Sequence, residues 1–370
     1  MRIGYEAKRI FHNTTGLGNY SRDLIRILAA FYPNNKYLLY NPKQGKVKRL
    51  VPDNTIVFEK RPGGFINQKL NSLWRQKWVV KDLIKDKVTI FHGLSGELPL
   101  GIEKTPIKTV VTIHDLIFMR YPKLYSAFDR KMHYKKFKHA AEIADIVVAI
   151  SEQTKRDIID YLKINPNKIQ VIYQGCAPAF KETYTASFKQ TVLKKYHLPD
   201  DFILNVGTIE PRKNALQLLK AVKELPYNVV LIGKGTAYKN VLKTFVSEHN
   251  MQTRVYFLEG LDLKELAALY QQAKLFVYPS VFEGFGIPII EALYSETPVI
   301  SSTGSCFAEA GGEASVYVNP NDTKALTVAI ENILENKELS KEMIAKGLNF
   351  VQQFNDEQIA INWNKLYNKL

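Results

Sequence analysis

Hydrophobic and polar positions along this chain keep switching between two periods. Short runs rich in β-branched and aromatic residues read as strands at Arg2–Tyr5, Lys36–Tyr40, Thr55–Phe58, Val88–His92, Lys108–Ile113, Ile146–Ile150 and Ile169–Ile172. Amphipathic stretches of helical spacing, such as Ser21–Phe31 and Lys135–Ile143, lie between them. After Tyr196–Asp201 the pattern restarts, with strands expected at Phe202–Val206, Asn228–Ile232, Val255–Leu258, Leu275–Tyr278, Pro298–Ser301 and Ser315–Val318. Helical runs at Asn214–Lys223, Lys239–His249, Lys264–Gln272, Thr323–Asn336 and Leu339–Gln352 separate these. Strands alternating with helices predict parallel sheets covered on both faces. The periodicity breaks in QGCAPAFKET, Gln174–Thr183. The chain therefore reads as α/β, with two Rossmann-like doubly wound domains at 1–176 and 177–355. A last helix, Asp356–Lys369, carries Trp363, Leu366 and Tyr367 at helical spacing. Open sheets of this kind bind ligands beyond the carboxyl ends of their strands.

Size and composition agree with two soluble cores: 370 residues, 46% hydrophobic and 24% charged. Two cysteines far apart, Cys176 and Cys306, imply neither a disulfide framework nor a zinc site. MRIGYEAKRIF begins directly with a strand and lacks an apolar signal segment, and no run approaches the ~18 apolar residues of a membrane span. A cytoplasmic protein is expected. Charge is divided unevenly. Residues 1–200 hold 35 Lys and Arg against 17 Asp and Glu, while 201–370 hold 16 against 19. An excess of +18 in the first half and −3 in the second suggests that the first half meets something anionic: an acidic lipid surface, a phosphorylated acceptor or nucleic acid.

The most informative stretch is YPSVFEGFGIPIIEAL, Tyr278–Leu293. A strand runs into a Gly-rich turn, and a helix opens with Pro288 in its first turn, where the missing N–H costs nothing. Gly284 and Gly286 let the backbone approach a ligand, and the helix start forms an anion site. Glu283 and Glu291 bracket it. Such a cradle suits a nucleotide sugar: N–H groups take the diphosphate, and carboxylates accept hydrogen bonds from hydroxyls. VGTIEPRKN, Val206–Asn214, leaves another strand; Gly207 opens the turn, and Arg212 and Lys213 stand at a helix mouth. Cations there oppose the helix dipole, so an anion between them explains them better than solvent does.

Weaker signals accompany these. GLGNYSRDL, Gly16–Leu24, reads as a loop whose Gly16 and Gly18 bring backbone near a phosphate or acceptor, with Ser21 capping the next helix; a plain flexible turn reads equally well. His114, in VVTIHDLIF, and His92, in FHGLSGELP, end two buried strands and compete as functional histidines. LIGKGTAY, Leu231–Tyr238, lacks P-loop spacing and reads as a loop beside a base or ribose. There is no Asp-x-Asp, His-Glu-x-x-His or Cys/His cluster, so no metal or other cofactor is expected and positive side chains must grip the diphosphate. Two basic aromatic stretches, Lys60–Lys81 and Arg120–His139, suit an interfacial helix on anionic lipid, or a solvated helix face with its aromatics turned inward.

With these motifs in place, the whole chain resembles the retaining GT-B nucleotide-sugar glycosyltransferases whose second domain carries Glu-x7-Glu. EGFGIPIIEAL, VGTIEPRKN, TIHDLIF and ADIVVAISEQTKRDI carry the likeness most specifically. The resemblance implies roles. Glu291 would hold donor ribose hydroxyls and Glu283 the donor sugar. Arg212 and Lys213 would neutralise the diphosphate, with Phe285 and Gly286 backbone facing it. His114 would sit beside the transferring sugar, Gly16 and Gly18 would line the acceptor side, and helix 356–370 would pack back on the first domain. Configuration would be retained through same-face attack, the departing diphosphate taking the acceptor's proton. Three departures stand out: EAK at Glu6–Lys8 in place of Asp-Ala-Arg, Thr208 where some relatives place an Arg, and Gly175–Cys176–Ala177 without an acidic residue.

The expected function is metal-independent transfer of a sugar from a GDP-mannose-like or UDP-sugar donor. The acceptor would be a glycan or lipid-linked glycan in cell-surface polysaccharide synthesis, such as lipopolysaccharide. The basic first domain would touch the inner, anionic membrane face peripherally, and no nucleic-acid module is evident. The alternatives are a nucleotide-sugar epimerase on the same fold and a non-catalytic binder of anionic polymers.

Overall fold

The computed structural model describes residues 1–45 and 55–370. They form two compact units, Met1–Gly175 with Phe354–Leu370, and Cys176–Gln353. In the first unit the strands are β1 (Arg2–Glu6), β2 (Lys36–Tyr40), β3 (Val57–Lys60), β4 (Ile90–Gly93), β5 (Lys108–Ile113), β6 (Ile146–Ala149) and β7 (Ile169–Val171). They lie in the order β3-β2-β1-β4-β5-β6-β7, every pair parallel. Alternate side chains enter separate cores. Ile3, Tyr5, Tyr37, Leu39, Val110 and Val148 join one face, and Leu38, Tyr40, Phe91, Val111 and Val147 the other. Burial on both sides is why these strands read as nearly continuous apolar runs.

The helices Gly16–Phe31 and Asp356–Asn368 cover the first of these faces together. The last helix seats Ile359, Trp363, Leu366 and Tyr367 against the sheet, and Arg26 reaches Asp356 at 2.8 Å. It starts cleanly because the Asn355 side chain accepts from Gln358 N–H, with Asp356 and Glu357 placed favourably in its first turn.

The second unit carries β8 (Ile203–Val206), β9 (Val229–Ile232), β10 (Val255–Leu258), β11 (Leu275–Tyr278), β12 (Val299–Ser302) and β13 (Val316–Val318). Their order is β10-β9-β8-β11-β12-β13, again all parallel. In each sheet the strand order reverses at the first strand, between β1 and β4 and between β8 and β11. Chains leave such a switch point in opposite directions, which opens a crevice at the carboxyl ends.

Three local expectations need correction. The edge strand β3 lies two residues later than Thr55–Phe58, because its ladder with β2 pairs Tyr37 with Val57 through Tyr40 with Lys60. A slip of two keeps every side chain on its face, so apolar pattern alone does not fix it. The GLGNYS segment is not a loop capped by Ser21. The helix already begins at Gly16, and the Ser21 hydroxyl donates to the Leu17 carbonyl at 2.7 Å from inside it. Asn13 does the capping instead, its Oδ1 accepting from the N–H groups of Thr15 and Gly18 at 2.8 and 3.1 Å. The helix expected from Lys135 begins at Ala127, where the Ser126 side chain accepts from Asp129 N–H.

Candidate active site

Within the second unit, two loops leave neighbouring strands at the switch point. β8 is followed by Gly207, whose φ of +151° disfavours any side chain, and the aliphatic stem of Lys213 would lie 3.4 Å from a Cβ there. The chain then makes a short turn, Pro211–Lys213, before the helix Ala215–Ala221. β11 ends in Tyr278 and enters the turn containing Glu283, Gly284 and Phe285, before the helix Ile287–Tyr294 opens after Gly286. Gly286 has φ +110°, and proline occupies the first turn as expected. The sequence thus folds both motifs at adjacent strand ends.

An ion triad joins the loops. Glu283 Oε1 lies 2.8 Å from Arg212 Nη1 and 2.7 Å from Lys213 Nζ. Lys213 Nζ also lies 2.6 Å from the Tyr278 hydroxyl, and Arg212 donates to the Phe282 carbonyl and to Glu210. Burial opposes charge on all three groups, but their attraction outweighs it: both cations are pushed above their ordinary pKa, and Glu283 is held below its own. The anion that these cations lacked in the sequence is, in the free chain, the Glu283 carboxylate.

Glu291 stands apart from that balance. Its Oε2 accepts from Tyr270 at 3.1 Å. Burial pushes its pKa up to about 7; the Tyr270 hydrogen bond and the charge of Lys213 pull the other way without offsetting it. At neutral pH it is poised between acid and carboxylate. The turn is clamped from β12's loop, where Cys306 Sγ donates to the Phe285 carbonyl at 2.8 Å and Ser305 Oγ accepts from Glu283 N–H. Tyr270, Tyr278, Ser305 and Cys306 were not singled out as site residues. Tyr278 at least closes the informative strand, whereas Tyr270 comes from a helix with no motif around it.

His114 and the two candidate glycines belong to the first unit. His114 follows β5, with Nε2 2.9 Å from the Leu94 carbonyl. A carbonyl only accepts, so Nε2 carries the proton and Nδ1 keeps its lone pair. Burial lowers the pKa to about 4, so the ring is neutral at pH 7. Tyr20, from the Gly16–Phe31 helix, packs edge-on against it with centroids 4.6 Å apart. Gly18 lets the same helix approach the preceding turn: a Cβ there would fall 2.0 Å from the Asn13 carbonyl oxygen. Gly16 faces open space. His92 is enclosed, its two nitrogens 2.8 Å from Tyr367 and Thr112 hydroxyls and its ring against Trp363, so it is part of the core. In LIGKGTAY, Gly233 allows close approach to the Gly207 carbonyl, where a Cβ would sit at 1.8 Å.

Among the described residues no three His, Cys, Asp or Glu side chains are grouped to hold a metal, and no helix is long and apolar enough to cross a membrane.

Known proteins share this architecture. The pattern of the "Glycosyl transferases group 1" family matches residues 189–350, and that of "Glycosyltransferase Family 4" matches 14–180. O-antigen chain mannosyltransferase B of Escherichia coli is 27% identical, over all of both chains. O-antigen chain mannosyltransferase RfbU of Salmonella typhimurium is 33% identical over 68% of each. Among solved structures, HepE of Anabaena in complex with UDP superposes with a TM-score of 0.79 at 17% identity, covering both chains fully. The two parallel sheets are those of the GT-B fold. The chain belongs to the group 1 glycosyl transferases, family four.

Proposed function

We propose that this glycosyltransferase moves a hexose from a nucleoside-diphosphate sugar to a glycan or lipid-linked glycan of a cell-surface polysaccharide, with retained configuration and without a metal. The observation that carries this reading is the partly buried Arg212–Lys213–Glu283 triad at the β8/β11 switch point, with Lys213 close enough to act on Glu291. A diphosphate entering the triad replaces the carboxylate as partner of the two cations. Glu283 is then free to accept from a sugar hydroxyl. Glu291, once ionised, accepts from ribose hydroxyls, and the dipole of the helix Ile287–Tyr294 adds to the positive field. The leaving diphosphate gathers charge as the glycosidic bond breaks, and cations already desolvated stabilise that charge without reorganising. His114, neutral at pH 7, takes the role the resemblance gives it, accepting a hydrogen bond from a hydroxyl of the transferring sugar. The named mannosyltransferases make GDP-mannose the first donor to try; HepE, solved with UDP-glucose, makes UDP-sugars the second.

Thermal melting of the chain with GDP, UDP, CDP and their sugars tests the donor, since a ligand of the native state raises the transition. Glu291→Ala and Lys213→Ala are expected to abolish that rise and to lower transfer by about a hundredfold or more. Full turnover in both variants would remove the assignment. Conversion of the donor without any acceptor would point to an epimerase.

A further inference from the structure

The first unit has a cationic site of its own. Lys8 and Arg9 follow β1, the strand at which the sheet order reverses, and both are half-buried. Nearby charges are already matched with one another. Arg75 lies 3.5 Å from Glu6 and 2.8 Å from Glu97, and Lys136 lies 3.3 Å from Glu97. Glu6 also accepts from the Lys8 backbone N–H at 3.1 Å. Neither the Lys8 ammonium nor the Arg9 guanidinium has an ion-pair or hydrogen-bond partner among the described residues. Four cations thus share two carboxylates. The Lys8 ammonium is held below its ordinary pKa, first by burial and then by Arg75 and Arg9. Arg9 also adds to the lowering at His114, so its charge is felt at that ring. Like charges on half-buried side chains repel, and a bound anion relieves that repulsion. A solvated surface pair would show neither the burial nor the mutual repulsion.

We infer that Lys8 and Arg9 form a binding site for a phosphate or diphosphate group of the transferase's substrates. Lys8 and Arg9 belong to the first unit, whereas Arg212 and Lys213 belong to the second. The inference rests on the nucleotide-sugar reading above, in which both substrates offer such a group: the donor through its diphosphate, a lipid-linked or phosphorylated acceptor through its own.

Isothermal titration of the full chain with sodium pyrophosphate tests it. Wild type is expected to show two binding events. The Lys8→Gln/Arg9→Gln variant loses one, weakened by roughly tenfold or more, while Lys8→Arg keeps both. Lys213→Ala loses the other. Titration with GDP and UDP then separates the sources. Nucleotide binding weakened by the double variant assigns the site to the donor diphosphate; unchanged nucleotide binding with the pyrophosphate event lost assigns it to the acceptor. Identical pyrophosphate isotherms for wild type and double variant overturn the site, even where Lys213→Ala still behaves as expected. Two events both insensitive to Lys213→Ala would sink the nucleotide-sugar reading instead. Should the double variant fold poorly by circular dichroism, Arg9→Gln alone carries the same comparison.

Discussion

Glu291 shows how a single residue couples folding to pH. Its folded pKa of about 7 lies above the ordinary carboxylate value, so the folded chain keeps a proton that the unfolded chain has released. Stability from this group is therefore complete at low pH and is lost as pH rises from the ordinary value through 7, by on the order of 3 kcal/mol. Glu291→Gln removes that slope. Urea unfolding at pH 5 and pH 8 is expected to show the variant gaining on wild type at the higher pH, and an equal difference at both would disprove the shift. Nucleotide affinity should move oppositely, strengthening in wild type as pH rises through 7, because a carboxylate accepts ribose hydroxyls better than an acid does. The Glu283 triad behaves differently: Lys213→Ala leaves Glu283 buried with Arg212 alone. Turn chemistry marks the glutamates, Arg212 and Lys213 as candidates from the sequence. The carboxylate's partnership with the cations was not, since it joins positions about 70 residues apart.

At the scale of the element, the Gly16–Phe31 helix separates two glycines that look alike in sequence. Gly16→Ala meets nothing within 4 Å and exchanges a flexible residue for a good helix former, for an expected gain of about 0.5–1 kcal/mol. Gly18→Ala drives a Cβ into the Asn13 carbonyl and should cost about 1–3 kcal/mol. Thermal melts of the two variants shifting in the same direction would contradict this packing. The last helix makes a second case. Trp363, 1% exposed, lies 4.8 Å from the His92 ring, and Trp363→Ala is expected to cost about 3–5 kcal/mol. Tyr367→Phe leaves His92 Nδ1 and Tyr5 short of a partner in a closed core, at about 1–3 kcal/mol. Denaturant unfolding checks both, and a neutral Tyr367→Phe would mean that water reaches His92. The helix itself was plain from its periodicity. Its bond to His92, 275 residues earlier in the chain, was not.

For the whole molecule, the three most exposed large apolar side chains among the described residues lie in the basic first 200 residues. Phe65 and Ile66, 71% and 67% exposed, lie in the Lys60–Lys81 stretch, and Phe128, 76% exposed, in Arg120–His139. Of the two readings open for these stretches, aromatics turned inward fails at Phe65 and Phe128, though Trp74 is buried. Apolar tips among lysines fit an anionic bilayer. Co-sedimentation with vesicles containing phosphatidylglycerol is expected, falling as salt rises. Phe65→Ser/Phe128→Ser should release the chain while phosphatidylcholine vesicles bind neither form. Equal binding of wild type and variant would remove the contact.

The sequence determined the strands found among the described residues, the bounds of β3 excepted, because nearly all are short apolar runs that a two-sided parallel sheet buries. It also determined the two glycine turns, since backbone at positive φ leaves few residue choices. Tertiary structure decided what those residues do when no ligand is present. It paired Arg212 and Lys213 with Glu283, raised the pKa of Glu291, and enclosed His92 in the core while tying His114 to the Leu94 carbonyl. Periodicity is local and survives in the one-dimensional string. Burial and charge pairing depend on which distant segments meet, and only the folded chain brings them together.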